Sequence, residues 1–311
     1  MDNKVLGIHH ITAIAGYAKR NYDFYTKVLG LRFIKKTVNF DDPKTYHLYF
    51  GDELGSPGTI LTFFPWEGVP RGKQGAGMPT EIAYSVPEGS LEFWKERFEQ
   101  YYVKVTGNGA RFGEDYISFE DPDGLPLTFI IPKISDDRKP WKTSEVGENF
   151  AAHGFHSITL TLNNIKETAA VLTDIFEYEF VGEEGTRYRY KTNAVANANI
   201  VDLIQEPAAP RTGNAGGTIH HVAFRVKDEK VLMEFREKVL SKGLNITQKV
   251  DRNYFFSLYF REPGGVLFEI ATDNPGFSVD EEVSELGKNL KLPPQYESSR
   301  KQIEAVLPAL V

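Results

Sequence analysis

The chain is patterned by two kinds of hydrophobic period, and the switch from one to the other recurs four times. In the first kind of segment every second residue is apolar, which is the pattern of a half-buried β-strand. Such segments lie at Ile8–Ala15, 81–86, 155–162 and Ile219–Val226. The recurrence indicates an internally repeated fold.

A segment with helical periodicity follows each of these strands within a few residues. The predicted helices cover 21–29, the stretch after Ser90, 166–176 and the stretch after Asp228. Ser90 and Asp228 are residue types that cap helix N-termini, and Gly30 is placed to end the first helix. The capping residues and the apolar stripes therefore agree on four helices.

Each repeat closes with another apolar strand. These strands are predicted at 57–61, 122–127, 199–203 and 263–267, and all but the third follow a turn with proline and glycine. The chain is thus predicted to hold four βαβββ modules, grouped as two module pairs at 5–135 and 150–273. The polar stretch 136–149 reads as a linker. Residues 274–311 are predicted to form a helical tail that packs on the body or at a subunit contact.

Composition narrows the chemistry without identifying it. The 311 residues include no cysteine, which excludes disulfides, thiolate catalysis and cysteine-ligated metal sites. The net charge of −7 and the lack of a basic run do not suggest nucleic-acid binding. The N-terminus shows no secretory signal, and no apolar run is long enough to span a membrane. We therefore expect a soluble cytoplasmic protein.

Histidine pairs occupy the same place in two modules. His9-His10 and His220-His221 lie at equivalent positions in the first and fourth opening strands. The third module has His156 followed by Ser157, and the second has no histidine there. When the closing strands are aligned from their prolines, Glu269 in the fourth module matches Phe63 in the first, Thr128 in the second and either Asp202 or Leu203 in the third.

These residues predict a metal centre made by the first and fourth modules. Two imidazoles and one carboxylate form the facial triad of non-haem iron oxygenases, which leaves positions open for O₂ and substrate. The predicted ligands are His10, His221 and Glu269, because the repeats align His10 with His221 and a buried unpaired carboxylate is costly. Neighbouring residues of a strand face opposite sides, so His9 and His220 should not bind the same ion. The second and third modules would then form a metal-free, structural pair. His47 and His153 match no repeat position and are predicted to be structural or surface residues.

The fourfold plan over residues 5–273 resembles the vicinal oxygen chelate superfamily, which includes glyoxalases and extradiol dioxygenases. The resemblance implies an α+β fold in which paired modules form two half-barrels, followed by the C-terminal helical tail. Several stretches are also similar to hydroquinone-type ring-cleaving dioxygenases, among them IHHITAIAG, DFYTKVLGLRFIKKTVNFD, IHHVAF, DRNYFFSLYFREPGGVLFEIATDNPGF and ELGKNLKLPPQYE. This similarity implies Fe(II), with Mn(II) as the alternative metal, and the opening of para-hydroquinone rings with O₂.

The same similarity assigns the surroundings of the site to His9, Thr12, His220, Arg252 and Tyr259. Tyr259 would bond a substrate hydroxyl, and Arg252 would orient a phenolate or a ligand carboxylate. Thr12 would bond a ligand or substrate, and the two histidines would support the metal ligands. Each also has a purely structural interpretation, as a sheet aromatic, a surface ion pair, a β-former or a strand brace.

Three other functions stay open from the sequence. A catechol-type extradiol dioxygenase would share the ligands and differ in substrate. A glyoxalase-like isomerase or lyase would need a fourth ligand, and Phe63 at that position argues against it. A non-catalytic aromatic-binding protein would not need the metal ligands. For a hydroquinone dioxygenase the expected partners are a small aromatic substrate, O₂ and a second copy of the chain in a homo-oligomer. The resemblance also implies a role in quinone detoxification.

Overall fold

A computed structural model describes residues 3–310. The first module consists of β1 (Ile8–Ala15), α1 (Ala18–Asp23), β2 (Arg32–Val38), β3 (Tyr46–Gly51) and β4 (Ile60–Pro65). The second consists of β5 (Met78–Ser85), α2 (Leu91–Gln100), β6 (Val105–Arg111), β7 (Glu114–Glu120) and β8 (Pro126–Ile130). The predicted order of elements is confirmed in both.

The later modules repeat this order. The third consists of β9 (Gly154–Leu162), α3 (Lys166–Ala170), β10 (Glu179–Glu184), β11 (Arg187–Lys191) and β12 (Ile200–Gln205). The fourth consists of β13 (Ile219–Val226), α4 (Glu229–Ser241), β14 (Val250–Asp251), β15 (Phe255–Arg261) and β16 (Leu267–Pro275). The first and third helices each continue as a π-helical turn, over Phe24–Val28 and Val171–Ile175.

The modules pair across the chain. One eight-stranded sheet has the order β14-β15-β16-β13-β1-β4-β3-β2, and the other has the order β10-β11-β12-β9-β5-β8-β7-β6. Antiparallel pairing of β1 with β13 joins the first module to the fourth, and pairing of β5 with β9 joins the second to the third. The predicted partnership of the first and fourth modules is thereby confirmed, and each sheet combines one module from 5–135 with one from 150–273 rather than two consecutive modules.

Alternation along the strands separates an apolar face from a polar one. In β4 the ring of Phe63 packs on Tyr25 from the helical segment, whereas its neighbour Thr62 faces the other side. In β16 Phe268 packs against Phe176 in the same way, and Glu269 faces the other side. Each buried phenylalanine stabilises the fold by about 1.5–3 kcal/mol. The helices thus cover one face of the sheet and leave its inner face for polar side chains.

The two predicted capping residues behave differently. Asp228 has extended backbone angles and accepts a hydrogen bond from the amide of Val231 at 3.0 Å, so this cap is confirmed. Ser90 precedes α2 but has helical backbone angles, and its buried hydroxyl makes no hydrogen bond. The prediction for Ser90 was therefore wrong, because the side chain of a residue already in helical conformation is not placed over the first turn.

The tail packs on the first module, as predicted. It contains short 3₁₀ turns at Phe277–Val279, Val283–Glu285 and Pro294–Ser299 and the helix α5 at Arg300–Glu304. Val38 in β2 forms an apolar cluster with Leu292 and Ile303. Within residues 3–310 no helix is both long and apolar enough to cross a membrane.

Candidate metal centre

Three buried side chains from β1, β13 and β16 meet on the inner face of the first sheet. His10, His221 and Glu269 each offer a ligand atom, and these atoms all lie within 4.8 Å of one another. Glu269 Oε2 is 2.9 Å from His221 Nε2 and 3.2 Å from His10 Nε2, and the two Nε2 atoms are 3.4 Å apart. The structure therefore brings together the three residues that the sequence selects as metal ligands.

Glu269 is a fully buried carboxylate whose contacts keep it ionised. Burial alone would raise its pKa, but its contacts with His10 and His221 hold the pKa of Glu269 well below its usual range. Its other oxygen, Oε1, accepts a hydrogen bond from the hydroxyl of Ser257. Sequence reasoning missed Ser257, which fixes the orientation of the carboxylate.

The first histidine of each pair, His9 or His220, contacts the ligand histidine that follows it. His9 Nδ1 lies 2.9 Å from His10 Nδ1, and His220 Nδ1 lies 2.7 Å from His221 Nδ1. If His10 and His221 present Nε2 lone pairs to a cation, each must carry its proton on Nδ1 and donate it to the neighbouring ring. Burial lowers the pKa of His9 well below its usual range and that of His220 to about 3, so both rings are neutral acceptors.

The donor set fits a metal ion. Glu269 Oε2 is buried and faces the Nε2 atoms of His10 and His221. Burial lowers the pKa of His221, so that ring is neutral and does not balance the charge of the carboxylate. A cation between the three atoms would replace an unpaired buried charge by a coordinated one. Two imidazole nitrogens and one carboxylate oxygen suit divalent iron or manganese, and they leave coordination positions free.

The strand register corrects one prediction about the fourth position. In the parallel pair β13–β16 Ala223 lies beside Glu269, and in β1–β4 the equivalent Thr12 lies beside Thr62. Thr62, rather than Phe63, therefore takes the place of Glu269 in the first module. The alignment from the prolines was wrong because Thr62 follows its proline by five residues and Glu269 follows its proline by six. By the same register Thr128 is confirmed for the second module and Asp202 is the match in the third.

The equivalent positions of the second sheet hold an ion-pair network. Glu81 and Ser157 stand where His10 and His221 stand in the first sheet. Arg189 pairs with Asp202 through two hydrogen bonds of 2.9 and 3.0 Å, and Arg111 pairs with Glu81 at 2.5 Å. Guanidinium groups thus neutralise the buried acids, which agrees with the prediction that the second and third modules form a structural pair.

The triad opens into a cavity of about 270 Å³. Its wall is largely aromatic, and the residues that line it include Phe40, Tyr49, Phe64, Trp66, Phe255 and Tyr259. Small-ligand sites combine such apolar walls with a few placed polar groups. The cavity therefore suits a planar aromatic molecule that reaches the three ligand atoms.

Arg252 and Tyr259 form one polar side of this cavity. Arg252 Nε donates to Tyr259 Oη at 3.0 Å, and the guanidinium lies over the Tyr259 ring. Burial, together with Glu269, raises the pKa of Tyr259, so the phenol keeps its proton. Since Tyr259 Oη accepts from Arg252, its own O–H stays free to donate into the cavity. Arg252 and Tyr259, which the resemblance assigns to the surroundings of the site, therefore both line the cavity.

Thr12 lies on the opposite side with two residues that the sequence did not single out as functional. Its hydroxyl lies 2.8 Å from that of Thr62, which in turn lies 2.9 Å from His47 Nε2. His47 lines the cavity, whereas His153 does not, and the structural or surface role predicted for both histidines stays a prediction. The sequence held a signal for His47, because the Leu-Tyr-Phe that follows it recurs at 258–260. In the structure Tyr49 pairs with Thr62 as Tyr259 pairs with Glu269.

Comparison with known proteins places the chain in a family. Residues 7–196 and 154–270 match the model of the glyoxalase/bleomycin resistance protein/dioxygenase superfamily. The chain therefore belongs to this superfamily.

Its relatives include named dioxygenases. The chain is 46% identical over 304 residues to MhqO of Bacillus subtilis, which is named as a ring-cleaving dioxygenase, with 98% of this chain and 96% of that protein covered. It is 38% identical over 311 residues to the chlorohydroquinone/hydroquinone 1,2-dioxygenase of Sphingobium indicum, with 97% and 96% covered. A crystal structure of a Bacillus subtilis protein named as a dioxygenase superposes with a TM-score of 0.95 at 45% identity, covering 99% and 98% of the two chains.

A more distant neighbour shares the fold only. Glyoxalase I from Zea mays superposes with a TM-score of 0.62 at 14% identity and covers 86% of this chain and 92% of its own.

Proposed function

We propose that the chain is an Fe(II)-dependent dioxygenase that opens the ring of substituted 1,4-hydroquinones with O₂. The observation that carries the proposal is the convergence of two imidazole nitrogens and one carboxylate oxygen at an aromatic-lined cavity. The relatives named as ring-cleaving and hydroquinone dioxygenases support the reaction class. Mn(II) is the second metal that the donor set allows.

His10, His221 and Glu269 would hold the metal at three positions. Iron bound there would supply the open positions where O₂ and a substrate oxygen are activated together. Ser257 fixes Glu269, and His9 and His220 fix the proton positions of the two imidazoles. These contacts keep the ligand atoms oriented before any substrate enters, which is the main requirement for fast chemistry at such a site.

Arg252 and Tyr259 would handle the substrate oxygen nearest the metal. The guanidinium favours the deprotonated form of a phenol by its charge, and the Tyr259 hydroxyl can donate to the resulting oxygen. The rings of Phe64, Trp66 and Phe255 would align the substrate ring and exclude water.

The first module argues against a glyoxalase-like isomerase. Such a reaction calls on a fourth ligand, and Thr62 stands at that position with its hydroxyl already bonded to Thr12 and His47. A physiological role in the removal of hydroquinones and quinones is part of the proposal.

A substrate panel tests the proposed function. Enzyme reconstituted with Fe(II) under argon is supplied with O₂ and with matched pairs of diols, such as methylhydroquinone and 4-methylcatechol. We expect O₂ uptake and a ring-opened product from the para-diol, and little from the ortho-diol. Preference for the catechol would replace hydroquinone cleavage by extradiol cleavage of catechols. Turnover of an aldehyde–thiol adduct without O₂ would replace oxygenation by isomerisation.

A further inference from the structure

Four polar side chains form a continuous hydrogen-bonded chain along the cavity wall opposite Arg252. Tyr49 Oη lies 2.8 Å from His47 Nδ1, His47 Nε2 lies 2.9 Å from Thr62 Oγ1, and Thr62 Oγ1 lies 2.8 Å from Thr12 Oγ1. Tyr49, Thr62 and Thr12 are almost fully buried, and His47 is half-buried. None of the four is a metal ligand.

The proton count of this chain leaves one hydrogen free. Burial holds the pKa of His47 well below its usual range, so the ring is neutral and has one N–H. Together with three hydroxyl groups it offers four hydrogens, and the three contacts use three of them. The fourth hydrogen must therefore point away from the chain at one of its ends, either at Thr12 or at Tyr49.

Thr12 is the end that faces the metal centre. It follows His10 by two residues on the same face of β1, which places the two about 7 Å apart along the strand. It also lies beside His221 in the β1–β13 register. If Thr12 donates into the cavity, Tyr49 donates to His47, His47 donates through Nε2 to Thr62, and Thr62 donates to Thr12.

We propose that this row of four hydrogen-bonded side chains binds the second oxygen of a para-diol. Thr12 would contact that oxygen, and His47 would be a positioning residue that sets the direction of every hydrogen bond in the row. The inference rests on the proposed function, because it takes the first oxygen to be held at the metal centre. The two oxygens of a para-diol lie at opposite ends of the ring, so one can lie at the metal centre beside His10 while the other contacts Thr12. The adjacent oxygens of a catechol cannot make both contacts at once. The hydrogen-bonded side chains would therefore select para-diols over ortho-diols.

A pair of ligands that differ only at the second oxygen tests this assignment. Hydroquinone and 4-methylphenol share one hydroxyl, and a methyl group replaces the other. Both are titrated by calorimetry into the anaerobic iron-loaded enzyme, the His47→Phe variant, the Thr12→Val variant and the double variant. Phenylalanine keeps the ring contacts of His47 with Tyr49 and Phe64 and removes both ring nitrogens.

We expect His47→Phe to weaken hydroquinone binding about 10-fold and to leave 4-methylphenol binding unchanged, as the loss of one buried hydrogen bond predicts. In the Thr12→Val background the same substitution should have no further effect, because His47 acts through Thr12. Tyr49→Phe, which removes only the first hydroxyl, should weaken hydroquinone binding in the same selective way. Tyr178→Phe removes a buried hydroxyl that has no partner and is the matched control.

Equal weakening of both ligands, or additive effects of His47→Phe and Thr12→Val, would overturn the assignment and show that His47 only supports the wall. Turnover of hydroquinone by the wild type separates this failure from failure of the proposed function. If the wild type turns over hydroquinone but His47→Phe shows no selective loss of hydroquinone binding, only the assignment of His47 and Thr12 is refuted. If the wild type binds and cleaves only catechols, the proposed function is refuted together with the assignment of His47 and Thr12.

Discussion

Thr62 in the first module and Glu269 in the fourth occupy the same register position on the same face of the sheet. One position thus carries a carboxylate beside the metal site and, in its repeat-related copy, a hydroxyl bonded to Thr12 and His47. A metal held by His10, His221 and Glu269 would therefore have three protein ligands and an open side. The same difference makes Thr62 the residue at which the site can be closed.

We predict that Thr62→Glu adds a fourth ligand. The variant should bind divalent metal at least 10-fold more tightly than the wild type and lose most of its O₂ uptake, because one open coordination position becomes occupied. Metal affinity by competition with a chelator and O₂ uptake by electrode measure the two effects. Thr128→Glu, at the equivalent position of the second sheet, is the control. Weaker metal binding in Thr62→Glu would show that the side chain does not point at the centre.

The buried Lys35 is predicted to hold the tail on the body. Its amino group lies 2.5 Å from Glu281 and 2.7 Å from Asp280, and the Lys35 side chain is fully buried. Lys35→Met should lower the free energy of unfolding by about 3–5 kcal/mol, because it leaves Glu281 charged and unpaired in the interior. Urea unfolding checks this. The exposed pair of Lys288 and Glu285 supplies the control, since Lys288→Met should cause no measurable change. An equally small effect at Lys35 would refute the claim that the pair anchors the tail.

Asp121 is predicted to make stability fall as the pH rises from about 4 to about 7. Burial raises its pKa to about 7 from the ordinary value of 3.8, against hydrogen bonds from two backbone amides and Tyr25. The folded state therefore holds a proton that the unfolded state has released. This contribution to stability is full below pH 3.8 and is lost as the pH rises through about 7.

Asp121→Asn mimics the protonated carboxyl and should remove that dependence. Between pH 5 and pH 8 the wild type should lose roughly 2–3 kcal/mol of stability relative to the variant, measured by urea unfolding at each pH. Parallel curves for the two proteins would mean that Asp121 keeps an ordinary pKa.

Hydrophobic alternation predicted which segments form strands better than it predicted where each strand begins and which strand it pairs with. Ile219–Val226 has the predicted bounds, although six of its eight residues are buried and only His220 and Arg225 are half-buried. β5 begins at Met78, before the predicted residue 81, since Met78-Pro79-Thr80 has no clear alternation and is held in the sheet by pairing with β9. Strand partners at such positions come from tertiary contacts that a local pattern does not encode.

The site shows the same limit at the level of single residues. His10, His221 and Glu269 were predictable because repeated modules allow their positions to be compared. Thr62 was missed by one residue, because a turn of different length shifted the alignment. His47 was missed because it has no histidine counterpart, although the Tyr49–Tyr259 equivalence marked its strand.

O₂ uptake with methylhydroquinone by the wild type and Glu269→Ala tests the central claim most directly. Both proteins are incubated with Fe(II) under argon, their bound iron is measured, and O₂ is then admitted. The wild type should bind one iron per chain and consume O₂ with formation of a ring-opened product, and Glu269→Ala should lose at least about 100-fold in rate, as expected for loss of a metal ligand or its support. Unchanged uptake by Glu269→Ala would contradict the assignment of the centre. No uptake by an iron-loaded wild type would contradict the proposed reaction.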